Sequence, residues 1–87
     1  MEKEYEAIAK KNFSEKKYLE CLKACFRAMT LDPYLKWIYD LSGYCYLNLG
    51  MNSQGKGCFN VAMDLEDDKN VKSNYAKLIK LCDERDK

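Results

Sequence analysis

Apolar residues recur along the chain at intervals of three and four, the spacing that places side chains on one face of an α-helix. Five segments have this pattern, and short breaks separate them. The pattern predicts helices over about residues 2–14, 18–30, 34–48, 53–66 and 69–84. Because every periodic segment has the helical spacing, we predict an all-α protein.

The breaks contain residues that typically end or begin helices. Pro33 cannot continue a helix but suits the first turn of the next one, so Asp32 is predicted to be its N-cap. Gly50 suits a left-handed C-cap, with Asn52 or Ser53 as the following N-cap. These positions predict two tight connections between helices.

The first four segments form an internal repeat. A shift of 34 positions places similar residues over one another: Tyr5 over Tyr39, Ala9 over Gly43, Ala28 over Ala62, Met29 over Met63, Leu31 over Leu65 and Asp32 over Glu66. The repeat predicts two helical hairpins of one design. A fifth helix follows as a cap, and Asp67 and Asp68 suit its beginning because the helix dipole favours negative charge there.

Small residues in both repeats allow paired helices to approach closely. They are Ala9, Cys21 and Ala28 in the first repeat and Gly43, Gly55 and Ala62 in the second. Large side chains should fill the adjoining spaces and form the core. The residues predicted to do so include Tyr5, Ile8, Tyr39, Tyr46 and Phe59.

These residues resemble the tetratricopeptide repeat (TPR) family, whose 34-residue unit is two antiparallel helices that stack into a right-handed superhelix. The second repeat resembles it through Tyr39, Gly43, Tyr46, Gly50, Gly55, Phe59 and Ala62. The first repeat is similar through Tyr5, Ile8, Ala9, Tyr18, Cys21, Ala28 and the ending Leu31-Asp32-Pro33. The resemblance implies a single TPR-like domain over 1–87, with repeats at 2–34 and 36–67 and a capping helix at 69–84.

The resemblance also implies a concave groove, lined by the first helix of each hairpin, that binds a protein or peptide partner. The corresponding residues here are Lys10, Phe13, Trp37, Asp40, Leu41, Tyr44, Leu47, Asn48 and Tyr75. Trp and Tyr often dominate binding energy, so a peptide or helix with apolar anchors would suit this face. In the alternative interpretation, the capping helix covers Trp37, Leu41 and Tyr44.

A second candidate surface lies on the outer side of the second helix. Leu19 and Phe26 occupy the positions that Ser53 and Asn60 occupy one repeat later. Apolar residues on one copy and polar residues on the other suggest that the first copy is covered, for instance in a homodimer. The sequence thus predicts a non-catalytic adaptor, with a self-associating assembly subunit or secretion-type chaperone as the alternative.

Composition restricts the chemistry further. Fifteen basic and fourteen acidic residues give a net charge of +1, which creates no long-range attraction to nucleic acid or anionic membranes. The chain has no His, no glycine-rich phosphate loop and no carboxylate pair in an apolar setting. We therefore expect no enzymatic activity and no cofactor.

The five cysteines are expected to be free thiols in a cytoplasmic protein, where they behave as small buried apolar residues. A zinc site is the alternative, and it would need Cys21 and Cys25 to meet Cys45 and Cys58. No His and no second close cysteine pair support that site, so no metal is predicted. The beginning of the chain lacks the apolar core of a signal peptide, and no apolar stretch is long enough to span a bilayer.

Overall fold

A computed structural model describes residues 2–85, which form five helices joined by short turns and loops. The five helices are α1 (Glu2–Ser14), α2 (Tyr18–Leu31), α3 (Lys36–Asn48), α4 (Asn52–Asp64) and α5 (Lys69–Arg85). Within these residues there is no strand. The all-α prediction is therefore confirmed, and the predicted bounds agree with the observed ones to within about two residues.

The helices form two hairpins and a capping helix. α1 packs along α2 and α3 along α4, while α3 also contacts both helices of the first hairpin. α5 packs along α4. Equivalent helices begin 34 residues apart, α1 at Glu2 with α3 at Lys36, and α2 at Tyr18 with α4 at Asn52. The repeat in the sequence is thus a repeat in the structure, and the right-handed superhelix stays a prediction.

The turns inside the two hairpins have the same backbone conformation. Gly50 has a φ of 76° and Lys16, 34 positions earlier, has a φ of 61°. In both turns the next amide closes the end of the helix: the Met51 N–H donates to Tyr46 O and the Lys17 N–H to Asn12 O, each at 2.8 Å. This is the Schellman arrangement, which favours glycine at the left-handed position. The prediction for Gly50 is confirmed. Lys16 adopts the same left-handed conformation although, unlike glycine, it has a Cβ.

Replacing Lys16 with glycine should therefore stabilise the protein. A left-handed residue with a Cβ costs roughly 1–2 kcal/mol, and the greater entropy of glycine in the unfolded chain offsets part of the gain. We expect Lys16→Gly to raise the free energy of unfolding by about 0.5–1 kcal/mol in urea titrations. Gly50→Lys is the matched control and should lower it by a similar amount, since no atom lies within 4 Å of a Cβ built there. Equal stability of Lys16→Gly and the wild type would contradict the expected strain at Lys16.

The predicted cap of α3 is wrong. α3 begins at Lys36, and its N-cap is Leu35, which makes no side-chain cap hydrogen bond. The Asp32 carboxylate instead accepts a hydrogen bond from the Tyr34 N–H at 3.0 Å. Aspartate often bonds the backbone two residues on and so stabilises a turn instead of a helix. The segment around Pro33 is accordingly a separate turn before the helix.

The two other helix starts differ from each other. Asn52 and Ser53 were the predicted caps of α4, but the N-cap is Met51, which makes no side-chain cap hydrogen bond. The acidic start of α5 is confirmed, since the Asp68 carboxylate accepts hydrogen bonds from two amides of its first turn, at 2.8 and 3.3 Å. Asp68 consequently caps α5 with its side chain, whereas the N-cap residues of α3 and α4 make no such bond.

The core consists of two clusters joined by α3. The first contains residues of α1, α2 and α3: Ala9, Cys21, Leu22, Ala24, Cys25, Ala28, Ile38 and Cys45. The second contains residues of α3, α4 and α5: Leu47, Phe59, Ala62, Tyr75 and Cys82. Tyr5, Tyr39 and Tyr46 are partly buried, as the predicted core requires, and Phe59 is fully buried. Ile8 was wrongly assigned to the core: it is 48% exposed, because the adjacent Ala9 faces the interior and Ile8 lies at the rim.

Candidate functional site

A polar network fastens α5 to α3 on the predicted concave side. The Tyr75 hydroxyl donates a hydrogen bond to the Asp40 carboxylate at 2.9 Å. Burial and this bond raise the pKa of Tyr75, so the phenol remains a donor. Beside it, Lys36 forms an ion pair with Glu66 at 2.8 Å and lies 5.9 Å from the centre of the Tyr75 ring. Asp40 is therefore engaged in holding the capping helix.

One aromatic ring from each of the five helices joins a continuous series of contacts. Ring centres are 5.7 Å apart for Tyr18 and Phe13, and 6.4 Å apart for Phe13 and Tyr44. The series continues from Tyr44 to Phe59 at 5.2 Å and from Phe59 to Tyr75 at 6.2 Å. The first three contacts are edge-to-face, a favoured geometry for aromatic pairs. Phe13 and Tyr44 thus serve the packing between helices.

The predicted groove is largely occupied by the protein's own contacts. Leu47 and Tyr75 are buried, so their assignment to a partner-binding surface is wrong. The reason is the rotation of α5, which turns Tyr75 toward Asp40 and Phe59. Tyr44 packs against the cluster that contains Tyr75, as the alternative interpretation expected for that residue.

The remaining groove residues are also engaged within the chain. Trp37 and Leu41 are partly buried and pack against the first cluster. Lys10 is exposed and pairs with Glu6 at 2.8 Å. The exposed Asn48 side chain donates to a backbone carbonyl one turn earlier. Of the residues assigned to the predicted groove, only Lys10 and Asn48 are exposed, and neither is apolar.

The outer face of α2 is different, because it presents large apolar side chains to solvent. Leu19 is 62% exposed and Phe26 is 47% exposed. They lie seven residues apart, two turns on the same face of the helix. Both line a cavity of about 340 Å³ together with Glu20, Leu22, Lys23, Tyr46 and Met51. We call this cavity the α2 groove: α2 forms one wall, and α3 and the turn after it form the other.

Two further cavities adjoin the α2 groove. The first, of about 700 Å³, is lined by Asn12, Lys16, Lys17, Tyr18, Leu19, Glu20 and Leu49. The second, of about 230 Å³, is lined by Tyr5, Ile8, Asn12, Glu20, Lys23, Ala24 and Arg27. All three share Glu20, so they form one irregular surface around α2.

Leu19 and Phe26 were predicted from the sequence, but the rest of the α2 groove was missed. Leu22 and Tyr46 form its inner part, and both also contribute to the first core cluster. Met51 also lines the groove and Leu49 lines the larger adjoining cavity, and both are exposed on either side of Gly50. Two large apolar residues in a tight turn, where small polar residues are usual, were the available signal.

Four of the five thiols are buried in the structure. All five cysteines are free, and Cys58 alone among them is only partly buried. A hydrogen bond to Cys25 lowers the pKa of Cys21. A hydrogen bond to Cys45 and burial outweigh this effect and raise the pKa to about 12. Burial raises the pKa of Cys58 to about 11. Thiols with such pKa values react slowly at neutral pH, since the thiolate is the nucleophile. Within residues 2–85, no group of three or more Cys, Asp or Glu is arranged to hold a metal ion.

No protein-family model, curated protein or solved structure matches the chain. Among the helices of residues 2–85, none combines the length and apolar character needed to cross a membrane.

Proposed function

We propose that this protein is a non-catalytic, TPR-like interaction module that binds an apolar segment of a partner protein in the α2 groove. The observation that carries the proposal is the exposure of Leu19 and Phe26 beside an apolar cavity. Contiguous exposed apolar surface is unfavourable in water and often marks a binding site. A helix or peptide that inserts apolar anchors between Phe26 and Met51 would bury this surface.

The repeat supports the proposal, because the same design occurs once with and once without the apolar face. Leu19 and Phe26 correspond to Ser53 and Asn60 in α4. Both copies hold their hairpins together, so the fold does not require apolar residues at these two positions. Their presence in the first copy is therefore explained better by binding than by packing.

The test exchanges the residues of one repeat for those of the other. The double variant Leu19→Ser, Phe26→Asn should weaken partner binding by about 2 kcal/mol or more, the loss typical of hot-spot residues. Its free energy of unfolding should change by about 1 kcal/mol or less, because Leu19 is 62% and Phe26 47% exposed in the free protein. Binding is measured by titration calorimetry with a partner isolated on the wild-type protein, and stability by urea unfolding.

Two controls make the result specific. Val61 on α4 is 38% exposed, so Val61→Ser removes an apolar side chain from a different part of the surface. It should leave binding unchanged. Trp37→Ala tests the concave face: it should lower stability, since Trp37 packs against the first cluster, without weakening binding by the folded protein. Full binding by the double variant would contradict the proposal. Loss of binding in Trp37→Ala alone would show that the partner binds on the concave face instead.

A further inference from the structure

We infer that the partner segment is an acidic amphipathic helix. This inference rests on the proposed function and adds the charge of the ligand to it. The decisive feature is the imbalance of charge around α2. Lys23 lines the α2 groove, and three further basic residues line the two adjoining cavities: Lys16, Lys17 and Arg27. Glu20 is the single acidic residue in these linings.

This positive charge is local. The whole chain has a net charge of only +1, so acidic residues outweigh basic ones over the remainder of the molecule. Two of the four cations already have carboxylate partners: Lys23 pairs with Glu20 at 3.6 Å and Lys17 with Glu15 at 3.5 Å. All of these side chains are at least 42% exposed. Exposed pairs of this kind are weak and can rearrange when a stronger partner arrives. The rim of the groove can therefore offer its cations to a ligand.

The arrangement of apolar and basic groups matches a helix in size. Three of the four basic residues lie along α2 or immediately before it, and from Lys17 to Arg27 they span about 15 Å, or three helical turns. Leu19 and Phe26 lie between them and provide two apolar contacts about 10 Å apart. A ligand helix with apolar residues on one face and Glu or Asp on its flanks would satisfy both sets of groups.

The same charges disfavour a second copy of the chain as the occupant. In a symmetric dimer the patch on one copy meets the identical patch on the other. Two copies of the α2 surface would therefore bring like charges together, which costs binding energy. An acidic partner would gain binding energy from these cations, whereas a second copy would lose binding energy through repulsion between them.

The experiment uses a displayed library of random 16-residue peptides, selected on the full chain and counter-selected on Leu19→Ser, Phe26→Asn. Peptides that require the α2 groove should have a net negative charge and apolar residues at intervals of three and four. For synthesised peptides from this set, Lys23→Glu, Arg27→Glu should lower affinity at least tenfold. The matched double reversal Lys77→Glu, Lys80→Glu on α5, where both side chains are exposed, should change affinity less than threefold.

Each other outcome overturns the inference in a recognisable way. Groove-dependent peptides that are neutral or basic would overturn the acidic ligand while the proposed function stands. An absence of groove-dependent peptides would overturn both. Two controls without peptide test other occupants of the groove. If sedimentation velocity shows a wild-type dimer that is absent in Leu19→Ser, Phe26→Asn, the groove binds a second copy of the chain. Flotation with phosphatidylserine vesicles that is lost in the same variant would assign it to a membrane surface.

Discussion

Phe59→Ala is expected to lower the free energy of unfolding by about 3–5 kcal/mol, the range for removing a large aromatic side chain from a core. Phe59 is 0% exposed, and its ring contacts both Tyr44 and Tyr75. Its removal would leave a cavity at the place where α3, α4 and α5 meet. Native proteins are stable by only about 5–15 kcal/mol, so this loss would remove a large share of the protein's stability.

The measurement is urea unfolding at 25 °C, followed by far-ultraviolet circular dichroism. Tyr34→Ala is the control: it also removes an aromatic ring, but Tyr34 is 77% exposed, so its cost should stay within about 0.5 kcal/mol. A loss below about 1 kcal/mol in Phe59→Ala would mean that neighbouring side chains fill the space and that the second cluster is loosely packed.

Gly43→Ala is expected to destabilise the protein even though alanine is the better helix former. A Cβ at residue 43 would lie 2.5 Å from Cε1 of Phe59, well inside contact distance. Because the rings of Tyr44 and Tyr75 hold Phe59 on its other sides, the ring cannot easily move away. Overpacking of this kind typically costs about 1–3 kcal/mol and exceeds the gain of about 1 kcal/mol in helix propensity.

Gly57→Ala is the matched control, since this glycine is also within a helix but has no atom within 4 Å of the position that a Cβ would take. It should gain about 1 kcal/mol from helix propensity alone. Adding Phe59→Leu to Gly43→Ala should recover part of the lost stability, which would show that the two positions are coupled. If both glycine substitutions stabilised the protein equally, the close approach at Gly43 would be wrong.

The helices and their order were predictable because they depend on local signals. Apolar spacing marks each helix, and the 34-residue repeat between residues such as Ala28 and Ala62 marks the hairpins. The helix caps were less predictable. Asp32 can bond to its own turn as well as to a following helix, and the sequence does not distinguish the two.

The candidate site was only partly predictable because it depends on how helices rotate against one another. Tyr75 and Asp40 are 35 positions apart, and their hydrogen bond forms only when α5 has a particular rotation on α3. The apolar spacing of α5 does not determine that rotation, so the concave face was predicted to be more open than it is. Leu19 and Phe26 were found because the second repeat provides an internal comparison at Ser53 and Asn60.

The series of aromatic rings has a consequence for how the protein unfolds. Repeat proteins often lose their terminal units first, because each unit contacts only its neighbours. Here Tyr44 touches both Phe13 of the first hairpin and Phe59 of the second, so neither hairpin can open without disturbing the rings of the other. Residues 2–85 should therefore unfold as one cooperative unit, with the same midpoint whether helix content or the fluorescence of Trp37 is followed.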